Sequence, residues 1–325
     1  MFKKRAKSSK LLIWKIQKEK FRVDELEALV ALTQIPYLGS VKIRLLINYF
    51  GSAVNALQAE VGEVAMLRGF GPQLLSAWGA SKAHDQWQRN LELAAKEGVQ
   101  LIPYTSDLYP KQLLKVPDFP VLLYNKGLRD NTLFSNVVAI VGTRLASEYG
   151  KELAETLACD LAAAGMTVIS GLAKGIDSAA HRGALKTGKT IAVLGSGLMH
   201  IYPRENSCLA EQITQTGALL SEFSLMAPPE RRNFLLRNRI VSGLAQAVVL
   251  IEAPEKSGAM HTMRIGWSQG KKLFVTPGRD DEKSQGNRLL LQERRADLVE
   301  NAQDIIRHLS IKPQMAVEQQ LRLPI

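Results

Sequence analysis

Short apolar runs alternate with segments of helical periodicity between about residues 98 and 310. The predicted strands are 137–142, 167–171, 190–195, 218–223, 247–253 and 272–276, with 99–104 and 121–124 as candidate additions before them. The predicted helices are 148–164, 176–185, 206–216, 238–246 and 258–269. Because the strands are apolar throughout, helices should cover both faces of their sheet. Right-handed crossovers then predict a doubly wound, mostly parallel α/β sheet.

Residues 23–97 have helical periodicity and short turns with glycine, which predicts a small all-helical domain. Two similar turns, at 35–40 and 67–72, precede the predicted helices 41–50 and 73–78. An apolar residue, a tight glycine turn and a helix are typical of helix-hairpin-helix motifs, whose helix N-termini face a phosphate. The first copy lacks the usual first glycine of the turn, and a helical packing module that touches no DNA is the alternative.

Positive charge is concentrated at the N-terminus. The chain of 325 residues has a formal net charge of +11, and its first 22 residues hold nine lysines and arginines against one glutamate, a balance of +8. A basic arm at residues 1–22 suits a polyanion, above all nucleic acid, and a solvated tail is the alternative. Residues 311–325 are interpreted as a short tail.

The composition also excludes several classes of protein. No apolar run approaches about 18 residues, and no signal-peptide core with a cleavage site is present, so we expect a cytoplasmic protein that does not enter a membrane. The two cysteines, Cys159 and Cys208, are too few for a disulfide framework or a thiolate metal site, and we expect both to be buried and reduced. Neither a metal site nor a cofactor is predicted.

Ligands of parallel α/β sheets bind at the carboxyl ends of the strands, so the residues after each predicted strand matter most. Glycine-rich turns expose N–H groups and helix N-termini add positive potential, which predicts a phosphate-binding rim. Basic groups beside an aromatic platform suit single-stranded nucleic acid, although the fold alone would equally allow a mononucleotide. The rim glycines and hydroxyls are Gly142, Thr143, Ser170, Gly171, Gly175, Gly195, Gly197, Ser257 and Gly258. The rim cations are Arg144, Lys174, Arg237 and Arg239, and the rings that could stack a base are Tyr202 and Phe234.

Five stretches at these strand ends match one family in order and spacing. They are AIVGTR at 139–144, SGLAKGIDSAAH at 170–181, YP at 202–203, RNR at 237–239 and PG at 277–278. In these stretches the sequence resembles the DprA (Smf) family of bacterial DNA-processing proteins, and the resemblance extends over roughly residues 30–308. One departure is Leu235, which stands where the family often has proline before the Arg-rich helix.

The resemblance implies an extended Rossmann-like domain at residues 98–310 behind a SAM-like or helix-hairpin-helix domain at residues 23–97. It implies a homodimer that binds and protects single-stranded DNA and loads the RecA recombinase onto it in natural transformation or recombination, with no catalytic reaction. The positions that match DNA-contacting residues of the family are Arg144, Lys174, Arg231, Phe234, Arg237 and Arg239. Many relatives continue into a winged helix, and the 15 residues after Ser310 are too few for one.

A nucleotide hydrolase and a pure protein–protein adaptor are the alternatives. Asp177 and His181 would share one helix face, and Glu222 and Glu252 end strands, so an active site could be built from them. The phosphoribohydrolases share a Rossmann core, but their Pro-Gly-Gly-x-Gly-Thr loop, a nucleophile elbow and a Walker-type loop are missing from this sequence. We therefore expect Asp177 to cap or pair with a rim cation and His181 to pack beside it.

Overall fold

The computed structural model describes residues 23–81, 86–279 and 281–309. The predicted basic arm at 1–22 and the tail at 311–325 lie outside these residues. The chain forms two compact units, Met1–Leu91 and Glu92–Ile325. The units divide within a helix, whereas the boundary predicted from the sequence falls between residues 97 and 98.

The first unit is built of short helices whose ends follow from the local sequence. These are α1 (Glu25–Thr33), α2 (Ser40–Phe50), α3 (Ala53–Gln58), α4 (Val61–Ala65) and α5 (Pro72–Ser81), and α6 (Gln86–Lys96) leads into the second unit. At the start of α1, the Asp24 carboxylate accepts a hydrogen bond from Glu27 N, and Asp24 N donates one to the Glu27 carboxylate. This capping box satisfies two backbone donors at the N-terminus of the helix.

Both predicted hairpin turns are present in this unit. Tyr37 and Gly69 each stand three residues before the first residue of a helix, α2 and α5 respectively. Both have a left-handed backbone, with φ of 65° and 90°. The tyrosine thus takes a conformation that glycine usually supplies, so the first copy makes the turn without its glycine.

The second unit contains one sheet. Its strands are β1 (Gln100–Pro103), β2 (Leu122–Gly127), β3 (Val137–Val141), β4 (Thr167–Ser170), β5 (Thr190–Val193), β6 (Ala218–Ser221), β7 (Ala247–Leu250), β8 (Lys272–Val275) and β9 (Asp297–Leu298). Its helices are α7 (Glu148–Ala163), α8 (Ile176–Leu185), α9 (Ser207–Thr216), α10 (Arg231–Leu244), α11 (Gly258–Ser268), α12 (Gln285–Gln292) and α13 (Ala302–Leu309). Among the described residues the strand order is β1-β2-β6-β5-β4-β3-β7-β8-β9.

The pairing of the strands confirms the predicted doubly wound, mostly parallel sheet. Strands β3 to β9 pair in parallel, and β1 and β2 form an antiparallel edge beside β6. The order reverses at β3, which has β4 on one side and β7 on the other. Carboxyl ends of parallel strands lie at one edge of a sheet, so the loops after β3, β4 and β5 come together there.

Two hydrophobic clusters cover the two faces of the sheet. Val137, Ala139 and Val141 belong to one cluster, whereas Val138 and Ile140 belong to the other. Side chains alternate between the faces of a strand, so β3 is covered on both sides. This burial explains why the strands are apolar throughout rather than alternately polar.

Two predictions about local structure are wrong. Helix α10 begins at Arg231 rather than at 238, so Phe234 and Arg237 lie inside the helix and not before it. The cysteines are both free, but Cys159 is half-buried and Cys208 is exposed, where we expected burial. None of the described helices is long and apolar enough to cross a membrane.

Candidate functional site

A cavity of about 70 Å³ opens at the edge of the sheet where β3, β4 and β5 end. Arg144 follows β3, and α10 contributes Phe234 and Arg237 from the other side. The complete lining is Arg144, Gly171, Ala173, Lys174, Tyr202, Pro203, Phe234 and Arg237. Pockets that enclose a drug-sized molecule usually have roughly 300–1,000 Å³, so this cavity fits a single planar ring better than a larger ligand.

One wall of the cavity is aromatic. The rings of Tyr202 and Phe234 lie 5.5 Å apart between centroids at an interplanar angle of 47°. Phe234 is half-buried and packs on Gly195, where a Cβ would lie 2.5 Å from Phe234 Cδ1. Tyr202 is 45% exposed. The two rings therefore offer an apolar surface that a flat ring can reach from solvent.

Two cations stand at the mouth of the cavity. Arg144 is exposed, and its Cζ lies 5.6 Å from the centroid of the Phe234 ring, a cation–π arrangement. Lys174 is also exposed and pairs with Glu205 at 2.6 Å. A surface pair of this kind contributes little stability, so Lys174 can exchange its partner for another anion at small cost.

Arg237, which the sequence predicted as a cation of the rim, is buried at the floor of the cavity instead of lying in solvent. Its Nη1 donates a hydrogen bond to the carbonyl of Val193 at 2.6 Å, and its Nε has no hydrogen-bond partner. A Cβ on Gly171 would come within 1.8 Å of Nη1, so the guanidinium packs directly on that glycine. Burial lowers the pKa of Arg237 to about 10, against the opposing effect of Asp177.

Asp177 sits behind the floor and is buried. Its Oδ2 accepts hydrogen bonds from Gly171 N at 3.1 Å and Ala173 N at 3.3 Å. Burial raises the pKa of the Asp177 carboxyl, and the Arg237 guanidinium and the two N–H groups act in the opposite direction. The carboxylate thus holds the loop after β4 and balances a buried cation, in line with the structural role that we expected.

Comparison with known proteins identifies the family. The sequence matches the model of the family described as DNA recombination-mediator protein A over residues 100–310. This chain belongs to that family. The DNA processing protein DprA of Bacillus subtilis is 37% identical over 224 residues, which are 68% of this chain and 75% of that protein. Protein Smf of Escherichia coli is 45% identical over 180 residues, which are 55% of this chain and 48% of that protein.

Two solved structures of DNA processing protein A have the same fold. The X-ray structure from Streptococcus pneumoniae superposes with a TM-score of 0.73 at 30% identity, over 91% of this chain and 100% of that one. The structure from Helicobacter pylori, reported for its unique single-stranded DNA binding mode, has a TM-score of 0.59 at 34% identity, over 65% of this chain and 95% of that one.

Four of the six positions that the DprA resemblance marked as DNA contacts line the cavity, and two do not. Arg231 is exposed and is the first residue of α10. The Arg239 guanidinium forms ion pairs with two carboxylates. Its Nη2 lies 2.6 Å and 2.7 Å from the Glu222 carboxylate oxygens, and its Nε lies 3.0 Å from Asp118 Oδ2. The prediction that Arg239 supplies charge to the rim is therefore wrong, since its side chain is only 10% exposed and already paired.

The rim glycines and hydroxyls serve the fold more than they serve an open phosphate site. Gly171 lines the cavity, but Ser170 Oγ donates to the carbonyl of Ile140, and Ser257 Oγ caps α11 by accepting from Met260 N. Thr143 Oγ1 accepts from Leu145 N in the turn after β3. At four other glycines of the rim a Cβ would lie within 2.5 Å of a neighbouring atom, so the fold has no room for a side chain there: Gly142, Gly175, Gly195 and Gly197. Gly258 faces open space.

Tyr202 was predicted from the sequence as a stacking ring, but two residues of the lining were not predicted. Ala173 and Pro203 lie in the loops after β4 and β5. Their position after a predicted strand was the available signal, and small apolar side chains give no sign of a binding role by themselves. They narrow the cavity without adding polar groups.

Proposed function

We propose that this chain binds single-stranded DNA in the cavity at the ends of β3, β4 and β5. The observation that carries the proposal is the placement of Phe234 and Tyr202 beside the exposed cations Arg144 and Lys174. Aromatic platforms stack unpaired bases, and neighbouring cations hold the phosphates. A duplex keeps its bases stacked and paired, so only a single strand can use the aromatic wall.

Membership of the family supports a finer role, which is also part of the proposal. As a homodimer in the cytoplasm, the protein protects single-stranded DNA and loads the RecA recombinase onto it in natural transformation or recombination, without a catalytic reaction. The placement of the candidate catalytic groups supports this choice over a hydrolase. Asp177 is engaged by backbone donors, and His181 is buried with its Nδ1 2.7 Å from Thr190 Oγ1, so neither is presented to a substrate.

The test is a pair of binding isotherms on single-stranded and duplex oligonucleotides of equal length, each measured over a range of salt concentrations. We expect tighter binding of the single strand. Arg144→Ala should weaken binding and lower the slope of log K against log salt by about 0.7, the value of one phosphate contact on a single strand. Arg264→Ala, which removes an exposed arginine of α11, is the matched control. Equal affinity for both DNA forms, or equal effects of the two variants, contradicts the proposed site.

A further inference from the structure

Helix α2 of the helical unit is apolar on two different faces. Its inward residues Ile43 and Leu46 are buried. On its outward face, Val41, Leu45 and Tyr49 are 45%, 50% and 59% exposed. A surface helix usually carries polar residues on its outer face, and a helix that is apolar all round is usually buried. The outward face of α2 therefore has the composition of a surface that is covered.

The exposed apolar residues form a row and do not stand singly. They recur at intervals of four, so that successive side chains are neighbours along one side of the helix. Tyr37, in the turn before α2, continues the spacing and is 59% exposed. The row, which is called the α2 stripe below, consists of Tyr37, Val41, Leu45 and Tyr49. Contiguous exposed apolar surface of this kind marks a site of interaction.

The chain itself contains a segment of matching chemistry. Residues 11–16, with the sequence LLIWKI, place five apolar side chains within the basic arm, and they lie outside the described residues. The described chain begins close to the stripe. Glu25, the first residue of α1, accepts a hydrogen bond from Ala53 N at 2.9 Å, and Ala53 is the third residue after the end of α2. The arm is therefore joined to the helical unit beside the C-terminal end of α2.

The length of the arm is sufficient to bring this segment onto the stripe. Helix α2 has 11 residues, so it is about 16 Å long. The eight residues between Ile16 and Asp24 can span up to about 26 Å, which exceeds the length of the helix. Residues 11–14 and the stripe are uncharged. Their contact is opposed only by repulsion between the lysines of the arm and the cations of α2, which salt screens in solvent.

We propose that the apolar segment at residues 11–16 packs on the α2 stripe of the same chain. The contact removes apolar surface of both partners from water, which is the driving force for it. The five cations that precede residue 11 then lie beyond the contact, where they are held beside the helical unit. A second copy of the chain is the alternative occupant of the stripe.

Limited trypsin digestion of the full chain, followed by mass spectrometry, tests the contact. The rates of cleavage after Lys15 and after Lys7 are each divided by the rate in a synthetic peptide of residues 1–24. We expect Lys15 to be protected relative to Lys7 by about tenfold or more, because burial of even one leucine shifts an opening equilibrium that far. Equal rates at the two sites overturn the proposal.

A variant of the stripe shows where the protection arises. Leu45→Asn should reduce the protection of Lys15 by about tenfold, because it removes one leucine from the contact. Leu114→Asn is the matched control, since Leu114 is an exposed leucine of the second unit, and it should leave the protection unchanged. Both leucines are exposed, so neither substitution disturbs a core. Undiminished protection in Leu45→Asn overturns the proposal.

Disulfide trapping separates the chain's own segment from a second copy. The pair Ile13→Cys and Leu45→Cys is made in a chain whose Cys159 and Cys208 are serine, and the protein is oxidised at low concentration. We expect a disulfide within one chain. Ile13→Cys with Ser76→Cys, an exposed position of α5, is the control pair and should form much less of it. Equal yields in the two pairs, or a disulfide only between chains on a non-reducing gel, overturn the proposal.

Discussion

His181 is a titratable residue that the fold has enclosed. Its Nδ1 lies 2.7 Å from Thr190 Oγ1, and that hydroxyl donates its own hydrogen to the Val168 carbonyl, so the imidazole donates from Nδ1. Its Nε2 is buried and has no hydrogen-bond partner. Burial lowers the pKa of His181 to about 3, so the ring is neutral near physiological pH.

This burial predicts a loss of stability in acid. An unfolded histidine has a pKa of about 6.5, so between about pH 6.5 and 3 the unfolded chain binds a proton that the folded chain does not. The free energy of unfolding should therefore fall as the pH falls, by up to about 1.4 kcal/mol per pH unit from this group. Urea unfolding at a series of pH values measures the slope.

The control for the acid effect is a substitution that keeps the hydrogen bond to Thr190. In His181→Asn the side-chain amide can still donate, but it does not titrate. The free energy of unfolding should therefore change less steeply with pH than in the wild type, by up to about 1.4 kcal/mol per pH unit, which corresponds to one proton. His261→Asn, at a histidine that is only partly buried, controls for loss of an imidazole. Equal slopes for the wild type and His181→Asn would show that His181 does not cause the effect.

Phe234 is the residue on which the stacking role depends. Phe234→Ala should weaken binding of single-stranded DNA by roughly 1–3 kcal/mol and leave the salt slope nearly unchanged, because a ring contributes stacking and no charge. Its neighbour Leu236 is also on α10 and is 45% exposed, so Leu236→Ala is the control. Binding curves beside thermal melts measure both effects. If Phe234→Ala lowers stability and binds DNA normally, the ring is a packing residue.

The sequence located the site residues better than it described their surroundings. The positions after predicted strands were sufficient to place Arg144 and Lys174 at one edge of the sheet. Burial was not visible, because an arginine such as Arg237 is expected in solvent unless its partner is known. That partner, Asp177, is 60 residues away in the sequence, and only the folded chain brings the two together.

At the scale of elements, α10 shows why a helix boundary was missed. Its inward positions 233, 237 and 241 recur every four residues, as a helix requires. Asn233 and Arg237 occupy two of them, so hydrophobic periodicity begins only near the Ile240–Val241 pair. One of these two polar residues, Arg237, also lines the cavity.

The turns of the helical unit give a prediction at the same scale. Gly69 has a φ of 90° with open space around its Cβ position, so Gly69→Ala should lower stability by about 1–2 kcal/mol through backbone strain alone. Gly62, inside α4, also has open space but no left-handed backbone, so Gly62→Ala should raise stability by about 0.5–1 kcal/mol. Urea unfolding of both variants measures the difference. Equal effects would mean that the turn relaxes to accept alanine.

At the scale of the whole molecule, the basic arm should bind single-stranded and double-stranded DNA without discrimination. Residues 1–22 carry a balance of +8 and should contact phosphates of single and double strands alike. The stacking wall favours single strands, so deletion of the arm should weaken duplex binding more and increase the preference for single strands. Isotherms of the truncated chain on both DNA forms measure this. If the truncated chain no longer binds single-stranded DNA while Arg144→Ala binds it normally, the DNA-binding site lies in the arm and not in the cavity.

The doubly wound sheet followed from the sequence because its strands are buried on both faces and its connections obey one handedness. The antiparallel edge formed by β1 and β2 did not, because pairing direction depends on where a distant strand, here β6, ends in the fold. The alternation of apolar runs and helical segments in the sequence predicts which strands and helices form. It does not predict which strand of the sheet an early strand such as β2 will pair with.

The lining of the cavity comes from four separate stretches of chain, at 144, 171–174, 202–203 and 234–237. When β3 to β6 have been synthesised, the chain contains the exposed cations and Tyr202. Phe234, which completes the aromatic wall, and Arg237, which forms the floor, belong to α10 and are synthesised later. Contacts between such distant parts of the chain form only after the entropy of closing long loops is overcome, which slows folding. A nascent or truncated chain that stops before α10 should therefore have the cations without the stacking wall, and the capacity to select single strands should appear in refolding only as the sheet itself is completed.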